Sequence, residues 1–349
     1  MSSSAYRPVY ALSRGGQPES LHHGVIAVVS ASGDLRASYG DARLSTFLRS
    51  AAKPFQALPF VLAGGVEHFG LNSKELALIC ASHSGTDEQV EVLLSIQRKV
   101  GISENQLLCG IHPPFHKPTA DRLQSSGQPL TPNRHNCSGK HSGMLAFAKL
   151  RGWPLETYLD PQHPLQQEIF ALFGELAGLP ATGLTLGIDG CSAPNWAAPL
   201  YNVALAYARL MDPSEFPPSH VAACTQVREA MLAHPHMVAG PERFDTELMQ
   251  AAGGRVLAKG GAEGYHAMGL PAGAVGPGWP AVGIALKIAD GDARGWARES
   301  VSLEVLRQLG ALSENDLARL LHFGPRRAVT NWRGLEVGRA EPVFDLERP

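Results

Sequence analysis

Residues 48–60, LRSAAKPFQALPF, set a lysine three positions after a serine in an otherwise apolar stretch. On a helix, i and i+3 share a face, so Ser50 and Lys53 would place a hydroxyl beside an amine. A serine hydroxyl is a weak nucleophile until a base takes its proton. Lysine serves as that base only when its pKa falls well below about 10.4, and burial or a second nearby cation lowers it. Ala51, Ala52, Phe55 and Leu58 would supply the burial. A helix start at Ser50 would also stabilise negative charge developing on the hydroxyl. The bland alternative is a solvated helix lysine, because S-x-x-K arises often by chance.

The company of this pair raises the catalytic reading. Lys-Gly-Gly at 259–261 resembles the K-T-G that accompanies S-x-x-K in serine β-lactamases and penicillin-binding proteins. Lys259 follows an apolar run and could simply snorkel to water. Placed beside Lys53, however, it would help depress both lysine pKa values. Between them lie two segments dense in small polar residues, ASHSG and NCSGKHSG. Ser82 could cap the next helix, although Thr86 suits that role better. His83 reads as structural or substrate-adjacent rather than as a base. The fourteen histidines form no H-E-x-x-H zinc motif.

These residues need elements to hold them. HHGVIAVVSASGDLRASYGD reads as two strands around the turn ASGD, with Glu19 and His22 ahead of the first strand. Residues 50–64 read as a helix starting near Ser50, with Pro54 tolerated in the first turn. LALIC is a buried run, strand or short helix. Thr86 and Gln89 fit a capping box that opens a helix through Val100. Residues 110–134, rich in Pro, Ser and Gly, read as a long surface excursion. GKHSGMLAFAKLRGW reads as a helix, LTLGIDGCSAP as a strand breaking into a turn, and 197–211 as a further helix. RVLAKGGAEGYHAMGL and PAVGIALKIADG read as two strands with a Gly-rich join, the first passing Lys259 on an edge. Residues 296–322 read as a helical hairpin. Strands at both ends with helices between them predict an α/β sheet completed late by the C-terminal half.

Composition bounds the function. The 349 residues are 44% hydrophobic, enough for a large core. Only 18% are charged and the formal net charge is −2, which gives no field for nucleic acid or an anionic membrane. No run of about 18 apolar residues predicts a membrane span. MSSSAYRPVYALSRGG lacks a continuous apolar core, so a secretory signal is not expected. Five widely spaced cysteines argue against a disulfide framework and for a reducing cytoplasm.

FLRSAAKPFQALP, CASHSG, LLCGIHPP, NCSGKHSGML, GIDGCSAPNWAAPL and AKGGAEG, in this order and preceded by ESLHHG, resemble the class 3, rhizobial-type L-asparaginases, also called the asparaginase II family. The resemblance spans nearly the whole chain. It implies an α/β (α+β) fold like that of serine β-lactamases and penicillin-binding proteins, a mainly antiparallel sheet flanked by helices. It also implies paired Ser–Lys tandems, Ser50 with Lys53 and Ser82 with Lys259. Cys137, Lys140 and Cys191 match the family's zinc position. Two thiolates suit zinc and a lysine ligand is unusual; reduced core cysteines or a disulfide are the alternatives. His141 and Asp189 match residues near the substrate. Asp189 would bind an ammonium group or cap a helix entered at Pro194, and Arg49 and His141 would bind a carboxylate. Gln89 departs from the family, many members of which carry a histidine there, at a position expected to lie off the chemistry.

The expectation is a single catalytic domain over residues 1–349 with an intimately packed helical subregion. It would act as a cytoplasmic homodimer that hydrolyses L-asparagine, with zinc and no organic cofactor, nucleic acid or membrane partner. The rivals are another amidohydrolase on this fold, whether glutaminase, β-lactamase or D,D-peptidase, and a non-catalytic amino-acid-binding relative.

Overall fold

A computed structural model describes residues 5–180 and 183–349. The strands are β1 (Arg7–Arg14), β2 (Gln17–Ser30), β3 (Leu35–Tyr39), β4 (Ser45–Phe47), β5 (Thr185–Ile188), β6 (Pro194–Pro199), β7 (Leu257–Gly260), β8 (Tyr265–Leu270), β9 (Val282–Ile288), β10 (Arg327–Thr330) and β11 (Glu336–Pro342). A 3-10 turn (Arg49–Ala52) leads into α1 (Lys53–Leu62), followed by α2 (Gly65–His68), α3 (Ser73–Ile79), α4 (Asp87–Val100), α5 (Lys117–Ser125), α6 (Ser138–Arg151) and α7 (Pro164–Ala177). The later helices are α8 (Leu200–Met211), α9 (Pro218–Ala233), α10 (Pro235–Val238), α11 (Phe244–Ala252), α12 (Trp296–Leu309) and α13 (Glu314–Arg319). The chain divides into two compact units.

The first unit comprises residues 1–51, 198–212 and 247–349. Its sheet runs β10-β11-β1-β2-β9-β8-β7, with β3 on β2. The strand pairs are antiparallel. The buried half of β2 pairs with the wholly buried β9. Helix α8 lies on this centre so closely that a Cβ on Gly283 would meet the Ala204 carbonyl at 1.8 Å. The late strands complete the sheet, as expected, and β7 with Lys259 is its edge.

The second unit comprises residues 52–197 and 213–246. Helix α1 packs on α6, α7 and α9, and α3 packs on α4, α6 and α9. Gly139 and Gly143, one turn apart on α6, face α3. A Cβ on Gly139 would lie 2.1 Å from the Leu78 carbonyl, and one on Gly143 would lie 2.4 Å from Ile79 Cγ2. Bare backbone there lets α3 sit low on α6, and α3 ends just before Ser82. The α4 capping box closes as expected, with Gln89 N–H on Thr86 Oγ1 at 3.2 Å and Thr86 N–H on Gln89 Oε1 at 3.2 Å.

Several expectations need correction. Glu19 and His22 lie within β2, not ahead of the first strand, because β1 pairs with β2 from Arg7 onward. Residues 110–134 are not a continuous loop; Pro118 opens α5 in its first turn. The helix expected over 197–211 begins at Leu200, because 197–199 finish β6. The segment containing Lys259 is a hairpin of two strands, β7 and β8, since Gly264 at φ +68 turns the chain back. LALIC resolves as helix, ending α3. No helix among the described residues is long and apolar enough to cross a membrane.

Candidate active site

Lys53 is the first residue of α1 and is 1% exposed. Its Nζ lies 2.6 Å from the Ala81 carbonyl, 2.9 Å from Ser82 Oγ and 3.3 Å from the Asn136 carbonyl. The Ser82 N–H donates to the Val238 carbonyl at 2.9 Å. Gln89 braces the same loop: its Oε1 accepts from Ser84 N–H at 3.0 Å and its Nε2 donates to the His236 carbonyl at 2.8 Å. Gln89 is thus a supporting residue for the Ser82 loop.

Ser50 sits half-buried in the 3-10 turn ahead of α1. The residue before it, Arg49, holds φ +52, a left-handed conformation that costs a non-glycine residue of order 1 kcal/mol or more. Strain of this kind clusters at functional sites. Tyr207 Oη donates to the Ala51 carbonyl at 2.8 Å and pins the turn. Gly261 explains part of the Lys-Gly-Gly motif: a Cβ there would lie 2.6 Å from the Leu48 carbonyl. The end of β7 therefore presses on the segment that leads into Ser50. Lys259, on β7, is 1% exposed and donates to the Gly260 carbonyl at 2.8 Å. The Arg49 guanidinium lies 3.8 Å from the Glu263 carboxylate.

Cys137, Lys140 and Cys191 form a buried cluster, with Lys140 Nζ 2.9 Å from Cys191 Sγ. A hydrogen bond from Cys191 holds the Cys137 thiol pKa well below its usual value; burial opposes this, and the Lys53 and Lys140 charges add to it. Burial works to lower the Lys140 pKa, but the Cys191 and Cys137 sulfurs outweigh it and raise the amine above its ordinary value. Asp189 lies at the end of β5, where its Oδ1 accepts from Gly190 N–H at 2.7 Å. Pro194 opens strand β6, so Asp189 caps no helix there.

Among the described residues, no group of three or more His, Cys, Asp and Glu is placed to hold a metal ion. A metal in this cluster would need the Lys140 amine beside two thiolates. Two buried sulfurs and an amine, already touching, are a donor set that suits zinc once the lysine gives up its proton.

Three histidines surround these groups. His83 Nδ1 accepts from Gly85 N–H at 3.1 Å and its Nε2 meets Ser138 Oγ at 2.8 Å. Burial, reinforced by the Lys53 charge, pushes its pKa down to about 3. A histidine held neutral in this way braces the loop through these two hydrogen bonds. Burial pushes His135 and His141 down to about 4. His141 Nδ1 is 2.6 Å from Tyr158 Oη, which also accepts from Leu108 N–H at 2.9 Å. The sequence reading missed Tyr158 and Asn136. Asn136 opens the NCSGKHSG segment but acts through its backbone carbonyl, which no side-chain pattern reveals, and Tyr158 belongs to no short chemical motif.

The L-asparaginase II family model matches residues 10–342. A comparison with curated protein sequences finds no match. Among solved structures, a probable glutaminase of Bacillus subtilis is similar at 13% identity and TM-score 0.41, covering 83% of this chain and 89% of that one. The probable glutaminase from Bacillus subtilis complexed with 6-diazo-5-oxo-L-norleucine is similar at 12% identity and TM-score 0.41, covering 83% and 85%.

Proposed function

The chain belongs to the L-asparaginase II family, and on that premise we propose that it hydrolyses L-asparagine to L-aspartate and ammonia by serine–lysine catalysis. The observation that carries the mechanism is the buried Lys53 amine on the Ser82 hydroxyl. Ser50 Oγ attacks the side-chain amide carbon while Lys53, three residues along, takes its proton. The proton then passes from Lys53 through Ser82 Oγ to the leaving nitrogen, because an amide expels ammonia only once that nitrogen is protonated. Water hydrolyses the aspartyl ester, with the same amine as base. The resemblance pairs Lys259 with Ser82 as the second tandem.

Asp189 is assigned to the substrate ammonium, and His141 and Arg49 are the candidates for its carboxylate. A zinc ion held by Cys137, Lys140 and Cys191 would supply fixed positive charge and tie the NCSGK segment to the GIDGC turn. The serine provides the nucleophile, so that role is positional. A reducing cytoplasm is supported by the five free cysteines. The homodimer is tested by light scattering on the purified protein.

The discriminating experiment is ammonia release over a panel of amino-acid amides, with nitrocefin alongside. The reading expects release from L-asparagine above that from L-glutamine, and no nitrocefin turnover. Nitrocefin turnover without ammonia release, or tight asparagine binding without turnover, would overturn it.

A further inference from the structure

Resting on the reading of His141 as a substrate ligand, we propose that Tyr158 is a positioning residue that locks His141 in the tautomer carrying its proton on Nε2, so that His141 offers the substrate a hydrogen-bond donor. Each hydrogen bond along this buried chain needs one proton of its own. Leu108 N–H lies 2.9 Å from Tyr158 Oη, and a backbone N–H can only donate. The phenol therefore accepts from Leu108, and its own proton needs another acceptor. Tyr158 is fully buried, so leaving that proton unpaired would cost about 1–3 kcal/mol. The remaining neighbour of the oxygen is His141 Nδ1, at 2.6 Å, within the short range for a hydroxyl donor.

Nδ1 is thereby the acceptor nitrogen, and a neutral imidazole with an acceptor Nδ1 carries its proton on Nε2. The two rings meet edge to face at 87°, which holds the imidazole plane as well as its tautomer. His141 Nε2 is buried and bonds to no nitrogen or oxygen among the described residues, with the Cys191 sulfur beside the ring. A fixed, buried N–H beside a sulfur, a weak acceptor, favours an oxygen acceptor from a ligand, and a substrate carboxylate or amide carbonyl fits.

The test is long-range proton–nitrogen correlation NMR on full-length protein labelled with 15N-histidine. His141 is assigned by the signals lost in His141→Gln. The proposal expects a protonated Nε2 and a bare Nδ1 in the wild type. A proton on Nδ1, or an Nε2 without one, overturns it with no variant needed. Tyr158→Phe should shift His141 away from the single tautomer and raise KM for asparagine about tenfold, the loss of one hydrogen bond, with a much smaller change in kcat. A folded Tyr158→Phe that keeps both the tautomer and the KM overturns the positioning role. An Nε2–H tautomer in a protein that releases no ammonia from asparagine supports the tautomer and overturns only the functional reading.

Discussion

Lys53 Nζ and Ser82 Oγ lie 2.9 Å apart across 29 residues of chain. The same amine also lies within hydrogen-bond distance of the Ala81 and Asn136 carbonyls, which can only accept. This arrangement suits the passage of a proton between the two side chains, and it joins one member of each implied tandem.

Ser82→Ala should therefore lower kcat by about 10²-fold or more while changing KM far less, since the relay acts on the transition state. Lys53→Met should cost more, about 10³-fold, because it removes the base as well. Steady-state kinetics on folded variants decides; a Ser82→Ala enzyme with near-normal kcat rules out the relay.

Gly139→Ala tests the packing that places Ser82. Its methyl would meet the Leu78 carbonyl at 2.1 Å, a backbone atom that cannot swing aside. Overpacking of this kind destabilises by about 1–3 kcal/mol. The urea midpoint should fall, and kcat should fall with it as α3 is pushed off α6. An unchanged midpoint contradicts the close contact.

Much of this was legible in the sequence because it is local. The Thr86–Gln89 cap, the turn after β2 and the helical hairpin near residue 300 follow from short-range rules. The Ser50–Lys53 pair stands out because S-x-x-K is a short motif, whereas the roles expected of Ser82, Lys259, Cys137, Lys140 and Cys191 rest on the family resemblance. What the sequence concealed is long-range. The partnership of Lys53 with Ser82 depends on α3 ending at a particular place. Tyr158 reaches His141 from an unremarked loop, and Pro194 was misread because a proline can open a strand as readily as a helix. Gln89, expected to lie off the chemistry, braces the Ser82 loop through its amide, a contact that depends on His236 from far along the chain.

Acid should destabilise the fold through its buried histidines. His83 titrates near 3 when folded and near 6.5 when unfolded, so between those values the unfolded chain holds a proton that the folded one lacks. Stability therefore falls as pH drops through that window and is unaffected by this group above it. The contribution of His83 is at most about 3 kcal/mol at pH 4. Melting temperatures from pH 7 to pH 4 should show the decline, and His83→Gln should flatten it. Parallel curves for both proteins would contradict the account.

Metal removal should act on binding before chemistry. If Cys137, Lys140 and Cys191 hold zinc, chelation should raise KM before kcat falls and should lower the melting temperature. Zinc content of protein purified without added metal, by mass spectrometry, comes first. Metal-free protein with full affinity for asparagine in reductant would show that the cysteines are only packed in the core.

The central claim is that Ser50, on its strained turn ahead of Lys53, is the nucleophile that opens L-asparagine. The most direct measurement is ammonia release at saturating L-asparagine by Ser50→Ala beside the wild type, with circular dichroism confirming that both are folded. The account predicts that kcat falls about 10³-fold or more in the variant. Near-wild-type turnover by a folded Ser50→Ala protein would contradict it.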